Sequence, residues 1–125
     1  IADAVYTDAL TRYPVRTSLV YGYVELLLSS DRNVELESMM SELLLKSEVK
    51  NPKFYEFRAK AYGELNQKMA MHRDYAEVLA LTGNLVGAIN ELLLAQKSTD
   101  GDFFLRTSVD SRLKELREIQ QALRQ

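Results

Sequence analysis

The stretch "MHRDYAEV" at residues 71–78 holds the side chains best suited to chemistry in this chain. It contains the only histidine, His72, and His-Arg-Asp also opens the catalytic loop of protein kinases. A kinase needs an asparagine five residues after that aspartate to hold magnesium, whereas Leu79 stands five residues after Asp74. Neither Gly-x-Gly-x-x-Gly nor Asp-Phe-Gly occurs anywhere in the chain. The sequence therefore excludes a kinase.

A zinc protease is excluded by the same segment. Its helix would read His-Glu-x-x-His, which places two metal ligands one turn apart. Here Arg73 follows His72, and Ala76 occupies the position of the second ligand. With one histidine and no cysteine, the chain has too few ligands for a closed zinc site. We predict no catalytic residue, no metal site and no cofactor, and hence that this chain is not an enzyme.

The composition is typical of a folded, soluble protein. Of its 125 residues, 46% are hydrophobic and 27% are charged. The net charge of −2 and the lack of a basic stripe predict no binding to nucleic acid. No apolar run approaches the roughly 18 residues needed to cross a bilayer. The absence of cysteine does not distinguish cytoplasm from periplasm. Because the chain begins at Ile1 rather than Met, we expect it to be a piece of a longer protein.

The chain reads as short helices joined by tight turns. It has only two prolines and five glycines, and strand-like alternation is absent. Pro52 favours a helix start, Gly83-Asn84 favours a left-handed helix end, and Asp102 can cap the helix that follows it. We predict an all-α fold with seven helices, at about 1–12, 16–29, 33–47, 52–65, 67–82, 85–98 and 102–124. Similar helices with very short links indicate a solenoid.

A search for internal repeats finds the spacing of the tetratricopeptide repeat, a helical hairpin of about 34 residues. From Met69 onwards the small positions of that repeat hold small residues, among them Ala76, Ala88 and Ala95. His72 takes a position for a large aromatic that packs on the following helix, and the same pattern turns Asp74 towards solvent. A second frame, which begins at Pro52, is offset by about half a repeat.

We therefore predict one tetratricopeptide-like domain over residues 1–125, a right-handed solenoid of about seven antiparallel helices. Its parts are a truncated repeat (1–14), a degenerate repeat (15–50), the best-matched repeats (52–101) and a capping helix (102–124). The capping helix carries an apolar stripe of Leu105, Val109, Leu113, Leu116, Ile119 or Gln120, and Leu123. The rest of its surface is charged, and we expect a solvated face with pairs such as Asp110–Lys114.

Residues 52–123 resemble one family. The order "NPKFYEFRAKAYGELNQ", "RDYAEVLALTGNLVGAINELLLAQK" and "SVDSRLKEL" is similar to the C-terminal repeats of BepA-type bacterial zinc metallopeptidases. The resemblance implies a protease domain before these repeats and work in the Gram-negative periplasm on outer-membrane protein assembly and quality control. The protease motif is absent here, so no catalytic residue carries over. Arg58 departs from the family, which has an aliphatic residue at that position.

We expect a protein-binding scaffold whose helices form a groove for segments of a partner. The two repeat frames place on the groove floor Lys53, Glu56, Lys60, Arg73 and Glu77. The resemblance implies as partners outer-membrane proteins, their assembly machinery and the attached protease domain, and a periplasmic location, although a cytoplasmic one stays open. The alternative is a stand-alone repeat module for interaction or oligomerisation, with no protease attached. The sequence does not decide which face is concave, nor the oligomeric state.

Overall fold

The computed structural model describes residues 17–124. This part of the chain is all-α, as the sequence predicts, and contains no strand. The helix predicted at 1–12 lies outside the described residues. The described helices are α1 (Thr17–Ser29), α2 (Asn33–Lys46), α3 (Pro52–Glu64), α4 (Lys68–Leu81), α5 (Leu85–Lys97) and α6 (Phe103–Leu123).

The helices begin and end where local signals place them. The Asn51 side chain accepts a hydrogen bond from the Lys53 amide at 2.9 Å, directly before Pro52 opens α3. The Asn84 and Asp102 side chains cap α5 and α6 in the same way. Gly83 ends the α4 segment with a φ of 88°, a left-handed conformation that suits a residue without a Cβ. Each of these predicted turns is confirmed.

Side-chain contacts between the helices reveal their directions. Glu37 of α2 contacts Tyr62 of α3, while Ser41, one turn later in α2, contacts Arg58, one turn earlier in α3. These two helices are therefore antiparallel. The chain reverses in the same way from α3 to α4, where Arg58 meets Asp74 and the later Gly63 lies against the earlier Met71.

Helix α4 has a third neighbour besides α3 and α5, because α6 also lies along it. At one end, the Asp100 carboxylate accepts hydrogen bonds from the backbone N–H groups of Lys68 and Met69, at the start of α4. Further along, Glu77 of α4 meets Arg112 of α6. Asp100, just before α6, contacts the start of α4, whereas Arg112, later in α6, contacts the later Glu77, so α4 and α6 run in the same direction.

Two hydrophobic clusters form the core. The first joins α1, α2 and α3 through Val20, Val24, Leu27, Leu36, Met40, Leu44, Phe54 and Ala61. The second joins α4, α5 and α6 through Met69, Ala76, Ala88, Ile89, Leu92, Ala95, Val109, Leu113 and Leu116. Small residues at Ala88 and Ala95, both fully buried, let α5 approach its neighbours closely. The interface of α3 with α4 lies between the two clusters.

Helix α6 buries its apolar stripe only in part. Val109, Leu113 and Leu116 are buried, as predicted for a helix that covers α5. The stripe continues through Gln120, which is half-buried, whereas Ile119 and Leu123 are exposed. Burial along this stripe therefore stops before the helix does. Within residues 17–124, no helix combines the length and apolar character needed to span a membrane.

Candidate functional site

A buried ion pair joins α3 to α4. Arg58 donates from Nε to Asp74 Oδ2 at 2.7 Å and from Nη2 to Asp74 Oδ1 at 2.8 Å. The Asp74 side chain is fully buried, and that of Arg58 is 12% exposed. The expectation that Asp74 faces solvent is wrong. The helical pattern placed it off the apolar stripe, but α3 covers that face and supplies the opposite charge.

The environment of the pair shifts the pKa values of both groups. Burial raises the pKa of the Asp74 carboxyl, against the hydrogen bonds and charge of Arg58. Burial alone would lower the pKa of Arg58, but the hydrogen bonds and charge of Asp74 outweigh it, so that pKa is raised. Since Arg58 makes two short hydrogen bonds to the two carboxylate oxygens of Asp74, we take both groups as charged at neutral pH. The interface is thus held by charge where the flanking clusters are apolar.

Arg58 is also held from the side of α2. Its Nη1 donates to the Ser41 hydroxyl at 3.1 Å. Its guanidinium lies 5.6 Å from the ring centre of Tyr55 and 5.7 Å from that of Tyr62, within the range of cation–π attraction. The Tyr62 hydroxyl in turn donates to Glu37 at 2.9 Å. Arg58 therefore contacts α2 and α4 as well as two aromatic rings of its own helix.

A second ion pair ties α6 to α4. Arg112 donates to the two carboxylate oxygens of Glu77 at 2.7 and 3.1 Å, and to Glu115 at 2.8 Å. These hydrogen bonds raise the pKa of the Arg112 guanidinium, against its partial burial. Asp110, for which the sequence predicts a pair with Lys114, instead accepts a hydrogen bond from Gln96 of α5 at 2.8 Å.

Between these two ion pairs lies an open cleft of about 400 Å³, which we call the α3–α4–α6 cleft. Its walls come from α3 and α4, which are consecutive in the chain, and from α6, which is distant in the sequence. Its lining consists of Tyr55, Arg58, Arg73, Glu77, Ser108, Arg112 and Glu115. Two of the five residues predicted for a groove floor, Arg73 and Glu77, are therefore brought together here.

Arg73 differs from the other two arginines of the cleft. Its only ion-pair contact within residues 17–124 is with Asp74, at 3.7 Å, and its side chain is 25% exposed. Asp74 already accepts two hydrogen bonds from Arg58, so Arg73 adds charge without a hydrogen bond of its own. The Tyr55 hydroxyl likewise has no hydrogen-bond partner in the described part of the chain, and solvent reaches it. The cleft therefore offers unused donors.

The other three predicted floor residues, Lys53, Glu56 and Lys60, do not line the cleft. They form a row on α3 in which Glu56 lies 3.4 Å from Lys53 and 3.5 Å from Lys60. Lys60 also lies 6.0 Å from the ring centre of Phe57. The two repeat frames thus select different surfaces, and only the frame that begins at Met69 leads to the cleft.

His72 faces α5, the helix that follows, as its place in the repeat predicts. Its Nδ1 lies 2.7 Å from a carboxylate oxygen of Glu91, and both side chains are largely buried. Among residues 17–124, no group of three or more His, Cys, Asp or Glu side chains is arranged to hold a metal ion.

Sequence reasoning missed most of the cleft. Tyr55, Ser108 and Arg112 come from helices whose contact with α4 no local pattern reveals. Arg58 did carry a signal, because the sequence resemblance implies an aliphatic residue where this charged one stands. A buried arginine implies a buried acid, and Asp74 is that acid.

We compared the chain with protein-family models, with curated proteins and with solved structures, and none of the three comparisons found a match.

Proposed function

We propose that this chain is a non-catalytic protein-binding scaffold, and that the α3–α4–α6 cleft holds a segment of the partner. The observation that carries the proposal is the cleft itself, in which Arg73 and Tyr55 keep donors that no residue from 17 to 124 uses. Polar groups in a partly desolvated cleft bind a ligand more strongly than the same groups on open surface. An extended peptide supplies the acceptors that such a cleft lacks.

The helix arrangement supports a finer proposal, that the fold is a right-handed tetratricopeptide-like solenoid with α6 as its cap. Antiparallel neighbours, together with the parallel contact of α4 and α6, are what stacked helical hairpins produce. In such an array every second helix lies on the same side. The α3–α4–α6 cleft then lies on the side that α4 and α6 share, which is the surface that solenoids use for binding.

The sequence resemblance supplies the proposed setting. By that resemblance the chain is the repeat domain of a periplasmic zinc protease or chaperone, with outer-membrane proteins, their assembly machinery and the attached protease domain as partners. The ion pair between Arg112 and Glu77 also supports the cleft as a binding surface. Because Arg112 and Glu77 fix α6 against α4, the cleft is formed before any partner arrives.

Site-specific photo-crosslinking tests the proposal. A photo-reactive amino acid replaces Ser108, which is exposed and lines the cleft, or Lys60, which is exposed and lies outside it. The probe is a urea-unfolded outer-membrane β-barrel protein, diluted into buffer with each variant. We expect crosslinks from position 108 and few from position 60. The substitution Arg73→Gln, made together with the label at 108, should reduce them.

Circular dichroism would first establish that each labelled variant keeps its helices and its melting temperature. Equal crosslinking from the two positions would mean that the probe binds without regard to the cleft. No crosslinking from position 108, with either the barrel protein or the protease domain as probe, would refute the proposed binding surface.

A further inference from the structure

We infer that the α3–α4–α6 cleft selects acidic segments, with Arg73 as the residue that receives the carboxylate. This inference rests on the proposed function and adds the chemical class of the bound segment. It follows from a comparison of the donors and acceptors that the cleft leaves unused.

The acceptors of the cleft are largely occupied. Both carboxylate oxygens of Glu77 accept hydrogen bonds from Arg112, and Glu115 accepts a third from the same side chain. A basic segment would have to compete with Arg112, which lies at 2.7 Å from Glu77 and is tied to α6. Asp74 is fully buried and engaged with Arg58. Glu115, whose side chain is 56% exposed, keeps one carboxylate oxygen without a hydrogen bond to residues 17–124, and it is the one acidic group of the cleft lining that a cationic ligand could reach without displacing Arg112 from Glu77.

The donors, in contrast, are in excess. A guanidinium carries five N–H groups, and none of those of Arg73 is used in a hydrogen bond to residues 17–124. Tyr55 adds a hydroxyl from the α3 wall, and burial, followed by the charge of Glu77, raises its pKa, so the group stays a neutral donor at physiological pH. A planar guanidinium pairs with a carboxylate through two parallel hydrogen bonds, which a neutral amide cannot match in charge.

Attraction over long distances cannot explain such selection, because the whole chain has a net charge of −2. Recognition must come from short-range contact inside the cleft, where exclusion of water strengthens each pairing. An acidic segment that does not reach Arg73 would bind no more tightly than a neutral one. The preference for acidic segments should therefore depend on this one side chain and should be lost when its charge is removed.

Three labelled peptides test the inference by fluorescence anisotropy. The first alternates Ser and Asp, the second has Asn for each Asp, and the third has Lys for each Asp; all have amidated C-termini. We expect the acidic peptide to bind at least about tenfold more tightly than its amide twin, the range for a hydrogen bond to a charged group. Arg73→Gln should remove this difference, while Arg106→Gln, an exposed arginine on α6 outside the cleft lining, should preserve it.

Equal binding of the acidic and amide peptides would overturn the inference, and so would tighter binding of the lysine peptide. It is also overturned if no peptide binds, or if Arg73→Gln keeps the acidic preference. In each of these cases the crosslinking from position 108 still decides the proposed function separately. A preference that disappears in both arginine variants would reflect general charge and would also count against a role for Arg73.

Discussion

Removal of Arg58 should be among the most damaging single changes in this protein. The substitution Arg58→Met keeps a long, flexible side chain but leaves the Asp74 carboxylate without its partner. Because the Asp74 side chain is fully buried, that charge cannot turn to water. Breaking a buried ion pair from one side costs about 3–5 kcal/mol. Loss of the cation–π contacts with Tyr55 and Tyr62 adds about 0.5–1 kcal/mol each.

Such a loss is large beside the roughly 5–15 kcal/mol that stabilises a typical domain. For a chain of this size, about 4 °C of melting temperature accompanies each kcal/mol, so we expect a decrease of at least about 12 °C. Urea unfolding followed by circular dichroism gives the free energy of unfolding directly. Arg106→Met serves as the matched control, because an exposed arginine should change stability by no more than about 0.5 kcal/mol.

The pH dependence of this penalty has a definite sign. Burial already raises the pKa of Asp74 above its ordinary 3.8, and Arg58 is the main influence that lowers it. Without Arg58 the folded-state pKa must rise further, which means that the folded state prefers the protonated carboxyl. The contribution of Asp74 to the stability of the variant is therefore greatest below pH 3.8 and is lost as the pH rises through the folded-state pKa. The difference from the wild type should shrink on acidification.

A double variant, Arg58→Met with Asp74→Leu, removes both charges and should recover most of the stability, since apolar pairs often replace buried ion pairs without cost. The reasoning fails if Arg58→Met alone lies within about 1 kcal/mol of the wild type at pH 7. It also fails if its penalty grows on acidification. The first result would mean that water reaches Asp74, and the second that the lost stability does not come from its buried charge.

Ala88→Leu should overpack the contact of α5 with its neighbours and cost about 1–3 kcal/mol in urea unfolding, and wild-type stability would show that this site has room. Asp100→Ala should lower the free energy of unfolding by about 0.5–2 kcal/mol, because the first N–H groups of α4 lose their acceptor. An unchanged free energy of unfolding would mean that water replaces the carboxylate as acceptor without loss of stability. Burial, opposed by Arg58 and aided by the hydrogen bond to Glu37, raises the pKa of Tyr62 from 10.0 to about 12, so its contribution to stability is lost between those pH values. Tyr62→Phe should abolish that alkaline loss and remove a phenolate step near pH 12 from an ultraviolet titration, and an unchanged titration would contradict the assigned burial.

Local signals were enough to predict the six helices of residues 17–124, because helix ends depend on residues close in sequence. Asn51, Gly83 and Asp102 each act on the backbone within three residues of their own position. The burial of Asp74 could not be predicted in this way. A helical period tells which face of a helix an acid occupies, but not that an arginine sixteen residues earlier covers that face.

The same limit of helical periodicity explains which residues of the cleft were predicted from the sequence and which were not. Arg73 and Glu77 are one turn apart on α4, so spacing alone places them on one face. Arg112 reaches Glu77 across thirty-five residues, and only the parallel arrangement of α4 and α6 makes that contact. Lys53, Glu56 and Lys60 satisfied the same spacing rule on α3 but form their own row. Periodicity identifies faces, whereas the pairing of faces is a tertiary property.

Helix α6 and the loop directly before it are attached to α4 at two points, and this has a mechanical consequence. One attachment is Asp100 at the first amides of α4, and the other is Arg112 at Glu77. On α4 these points are nine residues apart, or about 14 Å at the usual helical rise. A single attachment would act as a pivot, but two attachments at that separation resist both swing and twist. The α3–α4–α6 cleft is therefore stiff, and we expect it to discriminate among bound segments by their width as well as by their charge.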